Sequence, residues 1–586
     1  MMRYAIRRGA WLAATTACVL SAPAQTAGHA AARATAQTAL PVRRAVGARQ
    51  LDVQIAAILA PPAVARDHWG IQVTTLDGTV LYSLNPAQLF QPASNAKLFT
   101  TAAALALLPA TRRLKTTATG AGVFLEDGTL RGDLILNGGN DANFCAHDLP
   151  YPAPSAQSGV ASEPPLRDLE ELADQVKASG LKRVEGDVTA TGWNPYPLGW
   201  SADDLIWGYA APPSALSIGD NTLKLTVSPT NLVTSTTTDP LIANAPIMSK
   251  LTMQPAPSGV QFAAAARVDQ AIPYYTVQMY ANSSVDKQPT SIQITHTLGS
   301  RTIQVSGHIA LGAKPLVEEI AIDDPQEYAA MAFRQMLIER GISVTGSGKA
   351  SPHYSASMTG TTTDFLKEIS ESIANLSPVQ ASQEFPIPAR GMCGDCDPRS
   401  GLRTLATHLS PPLGDDVVVT NKQSLNLHAE LLLLELGAAE QAEGARVVRQ
   451  FLVNAGINGK DFVLFDGSGL STQDLVTPRA TAKLLSFAAH DPATGAPQPW
   501  FAQWKASLPV GGVDGTLATR FTRPPLKGHV FAKTGTHSEG RALSGYLDAA
   551  SGRTIIFSIF VGDHLPSTTD DRDAMDRIVA AIQAAE

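Results

Sequence analysis

Three short stretches carry side chains suited to work on an acyl group: Ser94-Asn95-Ala96-Lys97, Ser424-Leu425-Asn426 and Lys533-Thr534-Gly535. A serine hydroxyl is a weak nucleophile until a neighbouring base removes its proton. Lys97 lies three residues beyond Ser94, and in a helix that step rises about 4.5 Å and stays on nearly the same face. Such a lysine must be neutral to act as general base. Burial, and a second ammonium from Lys533, would each lower its pKa. If Ser94 opens a helix, its own NH is unpaired, and with the NH of Thr536, just past Lys533-Thr534-Gly535, it could form an oxyanion hole. Lys533, Gly535 and the hydroxyls of Thr534 and Thr536 are then placed for a substrate's terminal carboxylate. Ser424 would relay a proton to the leaving amine, and Asn426 would hold the substrate amide or Lys97. The product would be an acyl group on Ser94.

Each motif alone is weak. Ser-x-x-Lys recurs at Ser179 to Lys182 and at Ser284 to Lys287, and Ser-x-Asn recurs at Ser83-Leu84-Asn85. Ser94 could be a plain helix N-cap, Lys533-Thr534-Gly535 a strand end, and Ser424-Leu425-Asn426 a polar turn. Nothing structural requires all three in this order.

The surrounding pattern supplies elements to hold them. Residues 49–60 read as a helix. Ile71 to Leu76 and Thr79 to Leu84 alternate like strands around the hairpin turn Asp77-Gly78. An Ala and Leu-rich helix is predicted from Ser94 to Leu108. Near the other end, Val530 to Thr534, Leu543 to Asp548 and Thr554 to Val561 read as strands. Asp571 to Ala585 is predicted helical, with Met575, Ile578, Val579 and Ile582 on one face. These imply an antiparallel sheet flanked by helices from both chain ends. Between them, residues 116–320 are rich in Thr, Val, Ser, Pro and Gly, with strand-like runs at Asp187 to Thr191, Thr222 to Val227 and Thr302 to Gly307. Helix returns at Asp324 to Arg340. Residues 351–398 read as a long loop or added subdomain.

At 586 residues the chain is expected to form two or three domains. With 44% apolar and 17% charged residues and a net charge of -7, it is a globular composition without the basic excess of a nucleic-acid binder. Arg3, Arg7 and Arg8, the apolar Ala10 to Leu20 and the small residues Ala22-Pro23-Ala24 read as a signal peptide over 1–24, followed by a disordered leader over 25–45. A lipoprotein acylated at Cys18 is the alternative. No later stretch reads as a transmembrane anchor. Cys393-Gly394-Asp395-Cys396 is either a local disulfide or two idle thiols; no structural zinc and no metalloprotease signature is read.

The chain resembles the D-alanyl-D-alanine carboxypeptidase/endopeptidases of the low-molecular-mass, class C penicillin-binding protein family. The resemblance rests on the three ordered motifs and on several further runs. Among them are Gly138-Gly139-Asn140-Asp141, Ala215-Leu216-Ser217-Ile218-Gly219-Asp220-Asn221, Asp466-Gly467-Ser468-Gly469-Leu470-Ser471 and Lys533-Thr534-Gly535-Thr536 with Arg541-Ala542-Leu543. It implies an α+β, penicillin-recognising (β-lactamase/transpeptidase-like) domain of residues 46–115 and 321–586, interrupted by a β-rich insertion of residues 116–320 in two subdomains. The wide separation of the first motif from the second fits that split. By the same resemblance Ser94 is the nucleophile, Lys97 the general base, and Ser424, Asn426 and Lys533 complete the site, with Lys422 a further substrate contact. Peptidoglycan stem peptides would be the substrate and β-lactams covalent ligands. The protein would be exported to the periplasm, need no cofactor, and be monomeric or a homodimer. Leu425 stands where a polar residue is common. Asp466-Gly467-Ser468-Gly469 is read as a turn rather than a second nucleophile. A β-lactamase or esterase on the same fold, or an idle wall-binding scaffold, are the competing readings.

Overall fold

The computed structural model describes residues 46–147, 149–152, 166–192, 196–233, 262–284, 289–350, 401–440, 443–538, 540–565 and 568–586. The expected signal peptide and leader, and the 351–398 stretch with Cys393 and Cys396, lie outside the described residues. Cys145 is a free, partly buried thiol. No helix among the described residues is long and apolar enough to cross a membrane.

The body formed by the two ends of the chain is built on a five-stranded antiparallel sheet. In chain order its elements are helix α1 (Val46–Leu59), strands β1 (His68–Thr75) and β2 (Val80–Leu84), and helix α2 (Ala96–Leu107). Then follow α3 (Leu413–Gln423), α4 (Asn426–Glu440), α5 (Gly444–Asn454), α6 (Pro478–Ala489) and α7 (Phe501–Ser507). The chain ends with strands β3 (Val530–Thr536), β4 (Gly540–Asp548) and β5 (Thr554–Gly562) and helix α8 (Asp570–Ala585). The strand order is β3-β4-β5-β1-β2, so the two chain ends meet where β1 pairs with β5. Strand β5 is apolar almost throughout because both of its faces are covered. Ile555, Phe557 and Ile559 pack with Leu51 and Ile55 of α1 and Met575, Ile578 and Ile582 of α8. Ile556, on the other face, joins α2, α4 and α6. The predicted terminal helices, strands and hairpin are therefore all present.

Helix α2 runs through the middle of the helical layer, and Ala96 to Leu105 are all buried. Its small, apolar composition suits a helix packed on every side. Ser94 does not open this helix; it sits in a 3-10 turn, Ala93–Asn95, that leads into it.

The insertion carries two sheets and extends beyond the expected 116–320: Leu402–Leu409 and helix Pro325–Glu339, expected in the part spanning 321–586, join its sheet and its core. In one, Lys115–Phe124 lies between Thr129–Asn137 and Leu402–Leu409, both antiparallel to it. The other has six strands, ordered Ser291–His296, Thr302–Ala310, Thr276–Ser284, Phe262–Asp269, Thr222–Val233, Leu316–Ala321. Two helices, Arg167–Ala178 and Pro325–Glu339, pack in the same core through Leu169, Leu172 and Val176 and through Tyr328, Phe333 and Leu337. The second starts as a capped helix should, with Asp324 accepting from Glu327 NH at 2.9 Å and Pro325 in the first turn. The first lies within a stretch whose texture reads as strand. Ser179, in a chance Ser-x-x-Lys, is its C-cap and bonds Val176 O at 2.7 Å.

The insertion is hydrogen-bonded to the five-stranded-sheet body through its own motifs. Asn140 Nδ2 donates to Glu435 at 3.2 Å, and Asn143 Nδ2 to Asp416 at 2.9 Å. A Cβ on Gly138 would lie 2.2 Å from Leu216 N, so only glycine lets these two insertion segments touch.

Candidate active site

The turn that presents Ser94 is held by close backbone contact. Ala93 has φ +45°, a conformation costly for a residue with a Cβ. It is trapped there by two glycines. A Cβ on Gly469 would fall 1.8 Å from Ala93 O, and one on Gly535 would lie 2.7 Å from Pro92 O. The buried side chain of Asn95 also donates to Lys533 O at 3.0 Å, fixing the turn against β3.

Lys97 is fully buried beneath Ser94. Its Nζ lies 2.8 Å from Ser94 Oγ, 2.5 Å from Asn426 Oδ1 and 2.8 Å from Ser468 O. Burial lowers its pKa to about 7, against the opposing pull of Asp466 and Glu430. An ammonium can donate to all three oxygens; a neutral amine can donate to Asn426 and Ser468 O while its lone pair accepts the Ser94 proton. Passing from the first form to the second takes one proton from Nζ and turns the Ser94 hydroxyl so that it donates.

Lys533, on β3, is also fully buried and donates to Ser424 Oγ at 2.7 Å and Thr534 O at 3.0 Å. Burial, with the nearby charge of Lys97, holds its pKa well below the ordinary lysine value. The sequence assigned Lys533 a share in depressing Lys97; for Lys97 itself, burial is the dominant cause. Ser424 ends α3 in the left-handed region, at φ +64°, where glycine is the cheaper residue. That conformation turns the chain sharply between α3 and α4, setting Ser424 Oγ against Lys533 and Asn426 against Lys97. Thr534 Oγ1 bonds Thr516 Oγ1 at 2.8 Å.

Ser94, Ser424, Asn426 and Thr536 line one cavity of about 330 Å³, whose wall also includes Asp204 and Tyr209 from the insertion. Asn426 Nδ2 donates to Tyr209 O at 2.8 Å, so this residue touches both Lys97 and the insertion. Lys422 is placed differently. Its Nζ is taken up by Asp514, at 2.7 and 2.8 Å, and by Leu508 O at 2.6 Å. It lines a separate depression with Gly515 and Thr516.

Of the further residues around the site, Glu430, Asp204 and Tyr209 lie outside the sequence motifs, whereas Asp466 stands in one of them. Glu430 is buried and accepts from Gly467 and Ser468 NH. Burial and the charge of Asp466 push its pKa up to about 8. Asp466 accepts from Gly469 NH at 2.6 Å and Ser471 NH at 2.7 Å. The Asp466 to Gly469 turn thus shapes the carbonyl of Ser468 that binds Lys97. Glu430 was within reach of sequence reasoning, because it lies four residues after Asn426 on one helix face. Asp204 and Tyr209 carried no such signal.

The geometry thus brings a buried lysine against a serine beside the antiparallel sheet, with the Ser-x-Asn and Lys-Thr-Gly residues around them. A family model for the D-Ala-D-Ala carboxypeptidase 3 (S13) family matches residues 51–359 and 390–584, and the chain belongs to that family. It is 29% identical over 537 residues to a D-alanyl-D-alanine carboxypeptidase of Actinomadura sp. (strain R39), covering 89% of this chain and 82% of that one. It is 23% identical over 520 residues to the D-alanyl-D-alanine carboxypeptidase DacB of Haemophilus influenzae, covering 86% of each. The crystal structure of penicillin binding protein 4 (dacB) from H. influenzae shares the fold, with a TM-score of 0.62 at 20% identity over 90% of this chain and 97% of that one. By family, the chain is a serine-type D-Ala-D-Ala carboxypeptidase.

Proposed function

We propose that the protein cleaves D-alanyl-D-alanine stem peptides and D-alanyl cross-links of peptidoglycan through an acyl-enzyme on Ser94, and that β-lactams acylate the same oxygen. The observation that carries this reading is the Lys97 Nζ to Ser94 Oγ contact at 2.8 Å, made by a lysine whose pKa lies at about 7. In the first step Lys97 accepts the Ser94 proton as Oγ attacks the carbonyl of the penultimate D-alanine. The NH groups of Ser94 and Thr536 stabilise the oxyanion. As the C–N bond breaks, Ser424 passes a proton to the departing amine and is reprotonated from Lys97, which returns to the neutral form. Water then attacks the ester while Lys97 takes its proton, and Lys97 gives that proton to Ser94 Oγ as the ester C–O bond breaks, which regenerates the hydroxyl. Lys533, Thr534 and Thr536 hold the substrate carboxylate. Export to the periplasm, as the N-terminal residues suggest, would bring the enzyme to this substrate.

Release of D-alanine from a peptide ending in D-Ala-D-Ala, and labelled penicillin recovered on a Ser94 peptide, are the expected results. Absence of both in folded protein would overturn the assignment. Digesting isolated peptidoglycan, and separating loss of D-alanine from loss of cross-links, divides carboxypeptidase from endopeptidase action.

A further inference from the structure

Apart from the Ser94 cleft, one cluster of ligating groups among the described residues lies where the insertion meets α4. His147, Asp220 and His428 come from three separate segments, yet one donor atom from each falls within 4.8 Å of the others. His428 Nε2 is 3.0 Å from Asp220 Oδ1, and His147 Nε2 is 2.9 Å from Asp220 Oδ2. The two imidazole rings meet edge to face with centroids 5.1 Å apart.

We propose that His147, Asp220 and His428 form a zinc site that fastens the insertion to the helix carrying Asn426. Four features favour a metal over a simple ion pair.

First, the donor set of two imidazoles and a carboxylate is one that zinc takes in tetrahedral geometry, with water in the fourth position. Second, His428 is already oriented as a ligand. Its Nδ1 bonds Asp416 Oδ1 at 2.6 Å, which fixes the ring and leaves Nε2 facing the other two groups. Asp416 is itself held by Asn143. Third, the spacing is close to what a metal needs. Ligand atoms about 2.0–2.1 Å from zinc lie roughly 3.3 Å from each other, so a small outward shift of Asp220 admits the ion. Fourth, His147 Nε2 is buried and, among the described residues, makes no well-aligned hydrogen bond even at 2.9 Å from Asp220. A nitrogen facing a carboxylate out of line is poorly used as a donor and well used as a ligand.

The burial is graded in the same sense. The His428 side chain is fully enclosed, whereas those of His147 and Asp220 keep 17% and 28% exposure, leaving an entry path and room for the water. A second cluster, Asp168, Glu171 and His408, is less suited: Glu171 is exposed and Asp168 already accepts from Cys145 NH.

This inference is independent of the peptidase reading, since none of the three residues lies in the Ser94 cavity. The full chain, stripped with a chelator, loaded with Zn2+ and dialysed, should retain about one zinc per chain by elemental analysis. His147→Gln should bind at least tenfold more weakly. Co2+ in place of zinc should give the strong visible absorption of a four-coordinate site in the wild-type chain, a readout that needs no variant. Zinc should also raise the thermal midpoint of the wild type and leave that of His147→Gln unmoved. Retention equal in wild type and His147→Gln, no retention in the wild type, or a Co2+ spectrum no different from the free aqueous ion would each overturn the proposal.

Discussion

Two regions on either side of Ser424 bury lysines and use them in opposite ways. At the floor of the cleft, Lys97 and Lys533 are enclosed with only hydroxyl, amide and carbonyl oxygens within hydrogen-bond distance. Two residues before Ser424, Lys422 is almost as deeply buried but meets the carboxylate of Asp514. Burial lowers the pKa of all three. Only at Lys422 does a bonded carboxylate offset that effect. A buried ammonium without a bonded counter-ion is pushed toward the neutral form and becomes a base; one with a counter-ion stays charged and becomes a brace.

This contrast can be broken at several points. The largest effect is expected from Ser94→Ala, which should abolish penicillin labelling and lower turnover by at least about 10⁴-fold with an unchanged melting curve. Next comes Lys97→Arg. It keeps the charge but has no base to offer, so acylation should fall roughly 10²–10⁴-fold while the protein still folds. Equal acylation by Lys97→Arg and wild type would remove Lys97 from its role. In the wild type, acylation should level off above about pH 7. Below that, it should fall tenfold per pH unit as the Lys97 amine, active only when deprotonated, takes up its proton. A stopped-flow profile without that limb would contradict the neutral base.

On the brace side the expected signature is reversed. Asp514→Asn removes the counter-ion of Lys422 in a buried position. It should cost about 3–5 kcal/mol in urea unfolding and change the acylation pH profile little. A shifted limb in this variant would mean the two lysine regions are electrostatically joined. The smallest effect is expected from Asn140→Ala, which removes one bond from the insertion to Glu435. A loss of about 1 kcal/mol is expected, with acylation unchanged.

Much of the site was readable because helices and strands convert spacing into proximity. Ser94 and Lys97 are three residues apart across the entry to α2, and their contact follows almost from that alone. The order of motifs, and the repetitive patterns of β1, β5 and α8, carried the catalytic sheet. Helix Arg167–Ala178 also had a legible 3.6-residue pattern in Leu169, Leu172 and Val176, but it was submerged in strand-like surroundings. Other features had no local signature. The Lys422 to Asp514 pair, the Ser468 carbonyl on Lys97 and the entry of Tyr209 beside Asn426 all join segments remote in sequence.

Residue type, order and period were enough to name the groups suited to the chemistry, the family and the sheet that supports them. The ionisation state of those groups came from packing. Whether a lysine is a base or a brace depends on how much water remains around it and on which oxygen lies within about 3 Å, and both are set by chain segments hundreds of residues away. Ser94, Lys97 and Lys533 were named by their spacing; the dry lining that lowers the pKa of Lys97 exists only once α2, α4, β3 and the Asp466 turn have packed around it.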